Sequence, residues 1–441
     1  MSDPGGSNRV RNDIIPGRHD MTPIHEVRPA PRVRYIASGH QVMAKPVGPA
    51  CNLRCEYCYY LEKEALYPRV KDYRMTDEVL ESFVRQYIRA QPIPEVPFVW
   101  QGGEPTLLGL DFFRTALDLQ KKHGGGKRIT NSLQTNGTLL TDEWCEFLAT
   151  HNFLVGLSLD GPEDLHDRHR LDRGGAPTFR SVMRGMDLLK KHHVEFNVLA
   201  VVARAHSRRP LDVYRFLRGA GAQFIQFIPV VERAPGPESR RLGIRLGVPP
   251  SLRGREEDVA VTPWSVEPEG YGQFLIDLFE EWVRRDVGSV FVMNFEWALS
   301  SWMNLPPHAC FFMPQCGTCA VIEHNGDVYS CDHYVYPGYL LGNILREDLG
   351  KMFSSPGQAA FGEAKERALP KLCRECPVLA ACRGECCKHR FMTTPDGEPG
   401  LNYLCAGYKK YFTHISPYLK WISQIIRSGG EASKIMELIP R

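Results

Sequence analysis

Three cysteines in one short segment constrain this chain more than any other feature. Residues 51–58 read CNLRCEYC, which places Cys51, Cys55 and Cys58 at C-x3-C-x2-C spacing. Three thiolates on one loop can bind three corners of a 4Fe–4S cube, and the fourth iron is then open to a ligand that is not a cysteine. A zinc site is the alternative, but zinc sites usually pair their cysteines in twos. The spacing therefore favours an iron–sulfur site with one open iron.

The composition is that of a globular protein with a large core. The chain has 441 residues, of which 43% are hydrophobic and 24% charged, enough for one large domain with a smaller one or for two to three ordinary domains. The net charge of +3 is small for this length, so we expect no nucleic-acid partner.

The distribution of apolar residues predicts the cellular location of the protein, and the location in turn predicts whether the cysteines bind metal or form disulfides. No apolar run approaches the roughly 20 residues that span a bilayer, so we expect no membrane partner. The first residues lack the continuous apolar core of a secretion signal, which predicts a cytoplasmic protein. In such a chain, fourteen cysteines indicate metal sites more than disulfides.

Short apolar segments alternate with amphipathic helical segments from Gln41 onward. Strands are predicted at 41–46, 97–101, 129–134, 153–159, 195–202 and 223–229, and helices at 76–91, 110–122, 141–150, 178–192 and 211–219. Such alternation predicts βα units and a parallel sheet. Six units are fewer than the eight of a closed barrel, so we expect an open, partial (β/α)6 barrel of the α/β class.

Shifts in composition divide the chain further. A segment rich in Pro, Gly and charge at 234–262 predicts a surface insertion, followed by a helix at 269–285. Ten of the eleven cysteines outside the first loop lie between 310 and 405, which marks a second domain. The expected organisation is a tail at 1–37, the barrel at 38–233, the insertion and connecting helices at 234–307, a small Cys-rich domain at 308–408 and a helical segment at 409–441.

Polar residues follow the predicted strands, where ligands bind in parallel sheets. The second strand leads into Gln101, two glycines and Glu104; the glycines allow close backbone approach, and Glu104 can pair with an ammonium group. The fourth strand carries Ser158, and Arg170 follows twelve residues later, residue types that suit a ribose and a carboxylate, respectively.

The three-cysteine loop, with Tyr57 before its last cysteine and Gly-Gly-Glu-Pro about forty residues later, resembles the radical S-adenosylmethionine (SAM) enzymes. In that family the open iron chelates the amino and carboxylate groups of SAM. The resemblance implies a SAM site formed by Tyr57, Gly103, Glu104, Ser158, Arg170 and, less directly, Val231.

The later cysteines form an ordered pattern that resembles the SPASM domain of the same enzymes, which binds two auxiliary 4Fe–4S clusters. The resemblance implies three 4Fe–4S clusters in all, with one auxiliary cluster on Cys310, Cys316, Cys331 and Cys386 and the other on Cys373, Cys376, Cys382 and Cys405.

Three cysteines remain outside these sets. Cys145 lies in a predicted helix and is expected to be a small core residue. Cys319 has no assigned role. Cys387 competes with its neighbour Cys386 as a ligand, and the x3 spacing after Cys382 favours Cys386.

Five longer stretches resemble the anaerobic sulfatase-maturating enzymes in particular: 102–109, 132–140, 158–170, 226–232 and 325–344. The resemblance runs from about residue 41 to 415. It implies oxidation, by SAM-derived radical chemistry, of a cysteine or serine in an unfolded or nascent sulfatase to Cα-formylglycine. An electron donor such as flavodoxin or ferredoxin is then expected as a second partner.

The resemblance also suggests residues for the chemistry at the substrate. Asp332 directly follows Cys331 and is the candidate general base, while Gln101 and Tyr60 are expected to border the substrate. Two other functions remain open: a SPASM enzyme that installs thioether or carbon–carbon crosslinks in a ribosomal peptide, and a non-enzymatic electron carrier or zinc scaffold. The sequence does not determine whether the target is Cys or Ser.

Overall fold

The computed structural model describes residues 39–250, 260–307 and 309–440. The predicted tail at 1–37 lies outside the described residues, as do residues 251–259 of the predicted insertion.

One open sheet of ten strands organises the part of the chain that the structure describes. Its strands are β1 (Gln41–Lys45), β2 (Glu95–Trp100), β3 (Arg128–Thr135), β4 (Leu154–Ser158), β5 (Phe196–Val202), β6 (Phe224–Pro229), β7 (Phe291–Val292), β8 (Cys319–Glu323), β9 (Asp327–Tyr329) and β10 (Leu340–Asn343). They neighbour one another in the order β10-β9-β8-β1-β2-β3-β4-β5-β6-β7. A separate two-stranded sheet pairs β11 (Met392–Thr393) with β12 (Pro399–Leu401).

The six predicted strands are all present, each within two residues of its predicted bounds. Strands β1 to β6 pair in parallel and in chain order, with at least one helix between successive strands. This confirms the partial (β/α)6 barrel. Strand β7 adds a seventh parallel strand beside β6; with only two residues it is too short to leave a periodic pattern in the sequence.

Helices cover the sheet. They are α1 (Asp77–Ala90), α2 (Leu110–His123), α3 (Asp142–Thr150), α4 (Glu163–His166), α5 (Phe179–Lys191), α6 (Arg204–Ser207), α7 (Pro210–Gly219), α8 (Pro237–Arg241), α9 (Pro268–Arg285), α10 (Met293–Trp302), α11 (Leu349–Phe353), α12 (Pro356–Arg367), α13 (Lys371–Arg374), α14 (Leu379–Cys382), α15 (Cys405–Arg427) and α16 (Ile435–Leu438). In the described ranges, no helix combines the length and the apolar character that a membrane crossing requires.

Local sequence explains where the barrel helices begin and which face they bury. The hydroxyl of Thr76 accepts a hydrogen bond from the amide of Val79 at 3.3 Å, which caps α1 at its predicted start. In α1, Leu80, Phe83 and other apolar residues at helical spacing are buried. Cys145 in α3 is fully buried in the main core, as predicted.

The Cys-rich region continues the barrel sheet, which the sequence did not predict. Strand β8 pairs in parallel with β1, with Gln41 opposite Cys319 and Lys45 opposite Glu323. Strands β9 and β10 then extend the sheet in antiparallel fashion. The C-terminal ends of β1 and β8 therefore lie side by side, and the loops that follow them share one edge of the sheet.

The long C-terminal helix α15 crosses the predicted boundary at 408, since it begins at Cys405. It packs against α9 at two glycines. A methyl group at Gly407 would overlap the carbonyl of Pro268, and one at Gly272 would lie 2.5 Å from the carbonyl of Gly407. The two helices therefore approach closely enough to exclude even an alanine.

We predict that Gly407→Ala destabilises the protein by about 1–3 kcal/mol, the usual cost of overpacking a tight contact. Gly219→Ala is the matched control, because a methyl group there meets nothing within 4 Å, and it should leave stability unchanged or raise it by up to about 1 kcal/mol. Thermal unfolding of the cluster-loaded variants under anaerobic conditions measures both. Equal midpoints for Gly407→Ala and the parent would contradict the close helix contact.

Candidate active site and cluster-binding loops

Backbone hydrogen bonds from the turn after β2 fix the start of the cysteine loop. The amide of Gly103 donates to the carbonyl oxygen of Gly48 at 2.8 Å, and the amide of Glu104 donates to the carbonyl oxygen of Ala50 at 2.8 Å. A side chain at position 103 would overlap the Ala50 carbonyl, so this approach requires glycine. The turn thereby places Cys51 near the C-terminal end of β2.

The carboxylate of Glu104 joins the ends of β2 and β3. It accepts hydrogen bonds from the amide and hydroxyl of Thr106, at 3.1 and 2.7 Å, and from the Thr135 hydroxyl and the Asn136 amide, both at 2.7 Å. Burial raises the pKa of Glu104, although these hydrogen bonds oppose the shift. The side chain thus organises the loops, and its pairing with the amino group of SAM stays a prediction.

The polar segment after β3 holds the cysteine loop from a second side. The Nδ2 of Asn136 donates to Oδ1 of Asn52 at 2.8 Å, and Nδ2 of Asn52 donates to the Thr138 hydroxyl at 2.8 Å. Within the loop, the amide of Leu53 donates to the sulfur of Cys51 at 3.3 Å. These contacts explain why an Asn-Gly turn stands at this position.

The three thiols of the loop lie close together and are largely shielded from water. Burial raises the pKa of both Cys51 and Cys55 to about 12, and neighbouring thiols contribute to each shift. Burial also raises the pKa of Cys58. Such thiols lose their protons when a strong positive charge compensates them, as bound iron does. The donor set therefore fits a cluster held by these three residues.

A 4Fe–4S cube differs from a single ion in the ligand geometry it needs. In the described part of the chain, no three His, Cys, Asp or Glu side chains converge where one metal ion could bind. Each cysteine of a 4Fe–4S ligand set binds a different iron, so such a set does not converge on one point.

Tyr57, Asp160 and Arg170 form a buried group beside the loop. The Tyr57 hydroxyl donates to Oδ2 of Asp160, and Nε of Arg170 donates to the same oxygen at 3.0 Å. Burial alone would raise the pKa of Asp160, but the Arg170 guanidinium, two nearby histidines and the Tyr57 hydrogen bond together hold it below its ordinary value. The Nη groups of Arg170 have no hydrogen-bond partner within the described residues, so they remain available to a carboxylate.

The other two predicted SAM contacts differ in accessibility. Ser158 is half-buried at the end of β4, and its hydroxyl accepts a hydrogen bond from Nε2 of Gln134 at 3.0 Å. Val231 is 1% exposed and belongs to the main core. Its neighbour Val230 instead shares a small apolar cluster with Tyr57. Any contact between Val231 and a nucleoside would therefore involve its backbone.

Three predicted ligands of the first auxiliary cluster lie close together, with an unassigned cysteine beside them. Burial raises the pKa of the Cys331 thiol, and the nearby thiols of Cys310, Cys386 and Cys319 raise it further. Cys319 opens β8, which explains its closeness. The sequence left it without a role because it lies outside the SPASM spacing.

The fourth predicted ligand, Cys316, lies beside Cys387. A hydrogen bond with Cys316 raises the pKa of the Cys387 thiol, and burial adds to the shift. Cys387 is 1% exposed, in a small apolar cluster with Tyr334 and Phe361. The assignments of Cys316 and Cys386 as ligands stay predictions.

The four predicted ligands of the second auxiliary cluster lie together. Burial, followed by the thiol of Cys405, raises the pKa of Cys373 to about 11 and that of Cys382 to about 12. Burial and then the thiol of Cys376 raise the pKa of Cys405. The donor set fits a second four-cysteine cluster.

Asp332, the candidate base, is held by a lysine and a tyrosine. Its Oδ1 lies 2.6 Å from Nζ of Lys45, and its Oδ2 accepts a hydrogen bond from the Tyr59 hydroxyl. Burial would raise the pKa of Asp332, but the charge of Lys45, the neighbouring His333 and the hydrogen bonds from Lys45 and Tyr59 together lower the pKa to about 2. The carboxylate is therefore ionised at neutral pH, as a proton acceptor must be, and these contacts make it a weaker base than a free aspartate.

The two substrate-bordering candidates meet at the same lysine. Nζ of Lys45 donates to Oε1 of Gln101 at 3.0 Å and lies 4.3 Å above the ring centroid of Tyr60. The Tyr60 hydroxyl donates to Glu323, at the end of β8. The structure thus brings Gln101, Tyr60 and Asp332 together, as an active site requires.

Sequence reasoning missed three members of this group: Lys45, Tyr59 and Glu323. Lys45 is 1% and Glu323 0% exposed. The available signal for Lys45 was a charged residue inside a predicted strand, one residue before its end and shortly before the cysteine loop. No comparable signal marked Glu323, because its place depends on the pairing of β8 with β1.

Comparisons with known proteins agree with this geometry. The model of the radical SAM superfamily matches residues 46–217, and the model of the iron–sulfur cluster-binding SPASM domain matches residues 310–377. The two matches cover the three-cysteine loop and the first part of the Cys-rich region. Together with the fold they define a radical SAM enzyme with a SPASM domain, two families that imply iron–sulfur clusters and SAM.

Individual relatives narrow the assignment. A serine-type anaerobic sulfatase-maturating enzyme of Bacteroides thetaiotaomicron is 47% identical over 90% of this chain and 94% of its own length. A cysteine-type anaerobic sulfatase-maturating enzyme of Clostridium perfringens is 33% identical over 86% of this chain and 96% of its own length. The solved structure of native anSMEcpe with bound AdoMet (another name for SAM) and Cp18Cys peptide matches this structure with a TM-score of 0.76. The two sequences are 33% identical, and the match covers 88% of this chain and 99% of the other. The chain belongs to the anaerobic sulfatase-maturating enzymes.

We predict that replacing Cys51, Cys55 and Cys58 together with alanine abolishes formation of 5′-deoxyadenosine. Chromatography of SAM incubations with reductant measures it. About eight irons per chain should remain on the auxiliary cysteines, two four-iron cubes, by iron and sulfide analysis.

Cys145→Ala is the control, since this thiol lies in the core, and it should keep all of its iron. Undiminished SAM cleavage by the triple variant would refute the assignment of the loop. Retention of only about four irons would show that a single auxiliary cluster forms.

Proposed function

We propose that this enzyme oxidises a serine or cysteine of a sulfatase precursor to Cα-formylglycine, with three 4Fe–4S clusters and SAM as cofactors. One observation carries the proposal. Tyr59 directly follows Cys58, Asp332 directly follows Cys331, and the two side chains are hydrogen-bonded. The candidate base therefore stands between the loop proposed to hold SAM and the loop proposed to hold an auxiliary cluster.

The reaction removes a hydrogen atom, a proton and one further electron from the target residue. The auxiliary cluster that Cys331 would help to hold would supply the acceptor for that electron. The cluster on the three-cysteine loop, with SAM, would supply a 5′-deoxyadenosyl radical for the hydrogen atom at Cβ. This chain's own contribution is the proton acceptor. Asp332 is ionised by its contacts with Lys45 and Tyr59, so its carboxylate can take the proton from the hydroxyl or thiol.

Gln101 and Tyr60 would border the substrate, and the chain would act on an unfolded or nascent polypeptide. A low-potential carrier such as flavodoxin or ferredoxin would supply electrons. Support for a peptide substrate comes from the anSMEcpe structure, which holds a peptide together with AdoMet.

We further propose that serine is accepted as the target residue. The support is the identity of 47% with a serine-type relative, against 33% with a cysteine-type one. For serine, the two-electron oxidation gives the aldehyde directly. For cysteine, it gives a thioaldehyde, which water must then convert to the aldehyde with release of hydrogen sulfide.

We expect the anaerobically reconstituted enzyme, with SAM and a reductant, to convert a serine-containing sulfatase-motif peptide (S-x-P-x-R) to an aldehyde. Mass spectrometry would show loss of two hydrogen atoms and addition of a hydrazide probe. The probe is essential, because a crosslink in the peptide loses the same mass but carries no aldehyde.

The cysteine peptide and an alanine peptide are run beside it, and the alanine peptide should stay unchanged. Conversion of the cysteine peptide alone would overturn the serine proposal while leaving sulfatase maturation in place. A crosslinked peptide that the hydrazide does not label would instead indicate a peptide-crosslinking enzyme.

We predict that Asp332→Asn lowers the yield of formylglycine by roughly 10²–10⁴-fold, the usual effect of losing a general base. The substitution is nearly isosteric, and the base acts with or after hydrogen abstraction, so SAM cleavage should continue. The measurement is the ratio of formylglycine to 5′-deoxyadenosine. Asp118→Asn, on the exposed face of α2, should behave as the parent. Formylglycine at the parent rate from Asp332→Asn would remove Asp332 from the mechanism.

A further inference from the structure

Lys45 is a buried lysine at the centre of the candidate active site. It ends β1 and is 1% exposed. Its ammonium contacts Oε1 of Gln101 at 3.0 Å and Oδ1 of Asp332 at 2.6 Å, and it lies over the ring of Tyr60. A buried ammonium is costly unless it is paired, and here its partners are the residues proposed to meet the substrate.

The contact with Lys45 determines which way the amide of Gln101 faces. An ammonium has only donors, so the Gln101 atom that meets it must be the carbonyl oxygen. The Nε2 group is then directed away from Lys45, and it has no hydrogen-bond partner within the described residues. Gln101 is half-buried, so this donor is available to an incoming group.

The contact with Asp332 determines the position of the carboxylate in the same way. One oxygen meets Lys45 and the other meets the Tyr59 hydroxyl. Two partners on opposite oxygens restrict rotation of the carboxylate. Lys45 belongs to β1 of the barrel, whereas Asp332 follows β9, so the ion pair also sets the distance between the two regions.

We propose that Lys45 is a positioning residue for the substrate peptide. It presents Gln101 as a hydrogen-bond donor and Asp332 as a proton acceptor, both directed at the target residue. The peptide group that faces Gln101 must then be an acceptor, such as a backbone carbonyl oxygen near the oxidised residue. This inference rests on the proposed function and adds the group that organises its site.

The alternative is that Lys45 only stabilises the fold. A buried ion pair often contributes little net stability, but removal of one partner leaves the other charge unpaired. Loss of activity in a Lys45 variant would therefore not separate the two roles. To distinguish a positioning role from a purely structural one, we need the affinity for the peptide and a test of whether Lys45 and Gln101 act together.

The experiment compares Lys45→Met, which removes the charge, with Lys45→Arg, which keeps it. Lys127→Met is the matched control. The ammonium of Lys127 also donates to two acceptors, the carbonyl oxygens of Ile88 and Gln91, but Lys127 precedes the start of β3, at the opposite end of the strands from the candidate active site. We expect Lys45→Met to weaken binding of the serine peptide about tenfold, as loss of one oriented hydrogen bond would. Lys45→Arg should recover most of the affinity, and Lys127→Met should bind as the parent.

The affinity is measured by fluorescence anisotropy of a labelled peptide with SAM but without reductant, so no turnover is needed. Lys45→Met is then combined with Gln101→Ala. If Lys45 acts through Gln101, its loss should cost little further affinity in that background, because residues in one network are not additive. In turnover, Lys45→Met should release more 5′-deoxyadenosine per formylglycine than the parent.

Parent affinity in Lys45→Met, or strictly additive losses in the double variant, would overturn the inference. A crystal structure of Lys45→Met in which Gln101 and Asp332 keep their orientations would also overturn the inference, and this test requires no substrate. A parent enzyme that neither binds nor oxidises sulfatase-motif peptides would instead overturn the proposed function. The two failures are therefore distinguishable.

Discussion

The parallel pairing of β8 with β1 is the constraint on which the candidate active site depends. Five residues of each strand are in register, from Gln41 opposite Cys319 to Lys45 opposite Glu323. A shift of one residue would turn every side chain of β8 to the other face of the sheet. Lys45 and Glu323 would then part, and the segment that carries Cys331 and Asp332 would start from a different place.

With this register in place, the loop after β1 and the turn after β9 meet directly. Tyr59 and Tyr60 follow the last cysteine of the loop and donate to Asp332 and Glu323, respectively. The Gly-Gly-Glu-Pro turn and the Asn136 contacts hold the same loop from the side of β2 and β3. The loop is thus held at both ends and along its length, which is the rigid support that a reactive site needs.

Sequence patterns predicted the features that depend on neighbouring residues, and they did not predict the side-chain positions that depend on pairing between distant strands. The alternation of strands and helices gave the barrel, and cysteine spacing grouped residues that lie close together. The pairing of residues 41–45 with 319–323 has no local signature, because both segments read as ordinary short strands. Lys45, Tyr59 and Glu323 owe their positions to that pairing, and Cys319 reaches Cys331 through it. Long-range registers of this kind are absent from any single stretch of sequence.

The charges around the site explain why it can be both polar and shielded. Lys45 pairs with Asp332 and Lys388 with Glu232, and all four side chains are largely buried. Each ion would be too costly to bury alone, and pairing makes burial tolerable without adding much stability. Among the described residues, no carboxylate lies as close to Lys63. Its ammonium donates to the carbonyl of Val335, and burial lowers its pKa to about 7, although nearby acids oppose the shift. The two ion pairs therefore contribute fixed geometry to the site more than stability.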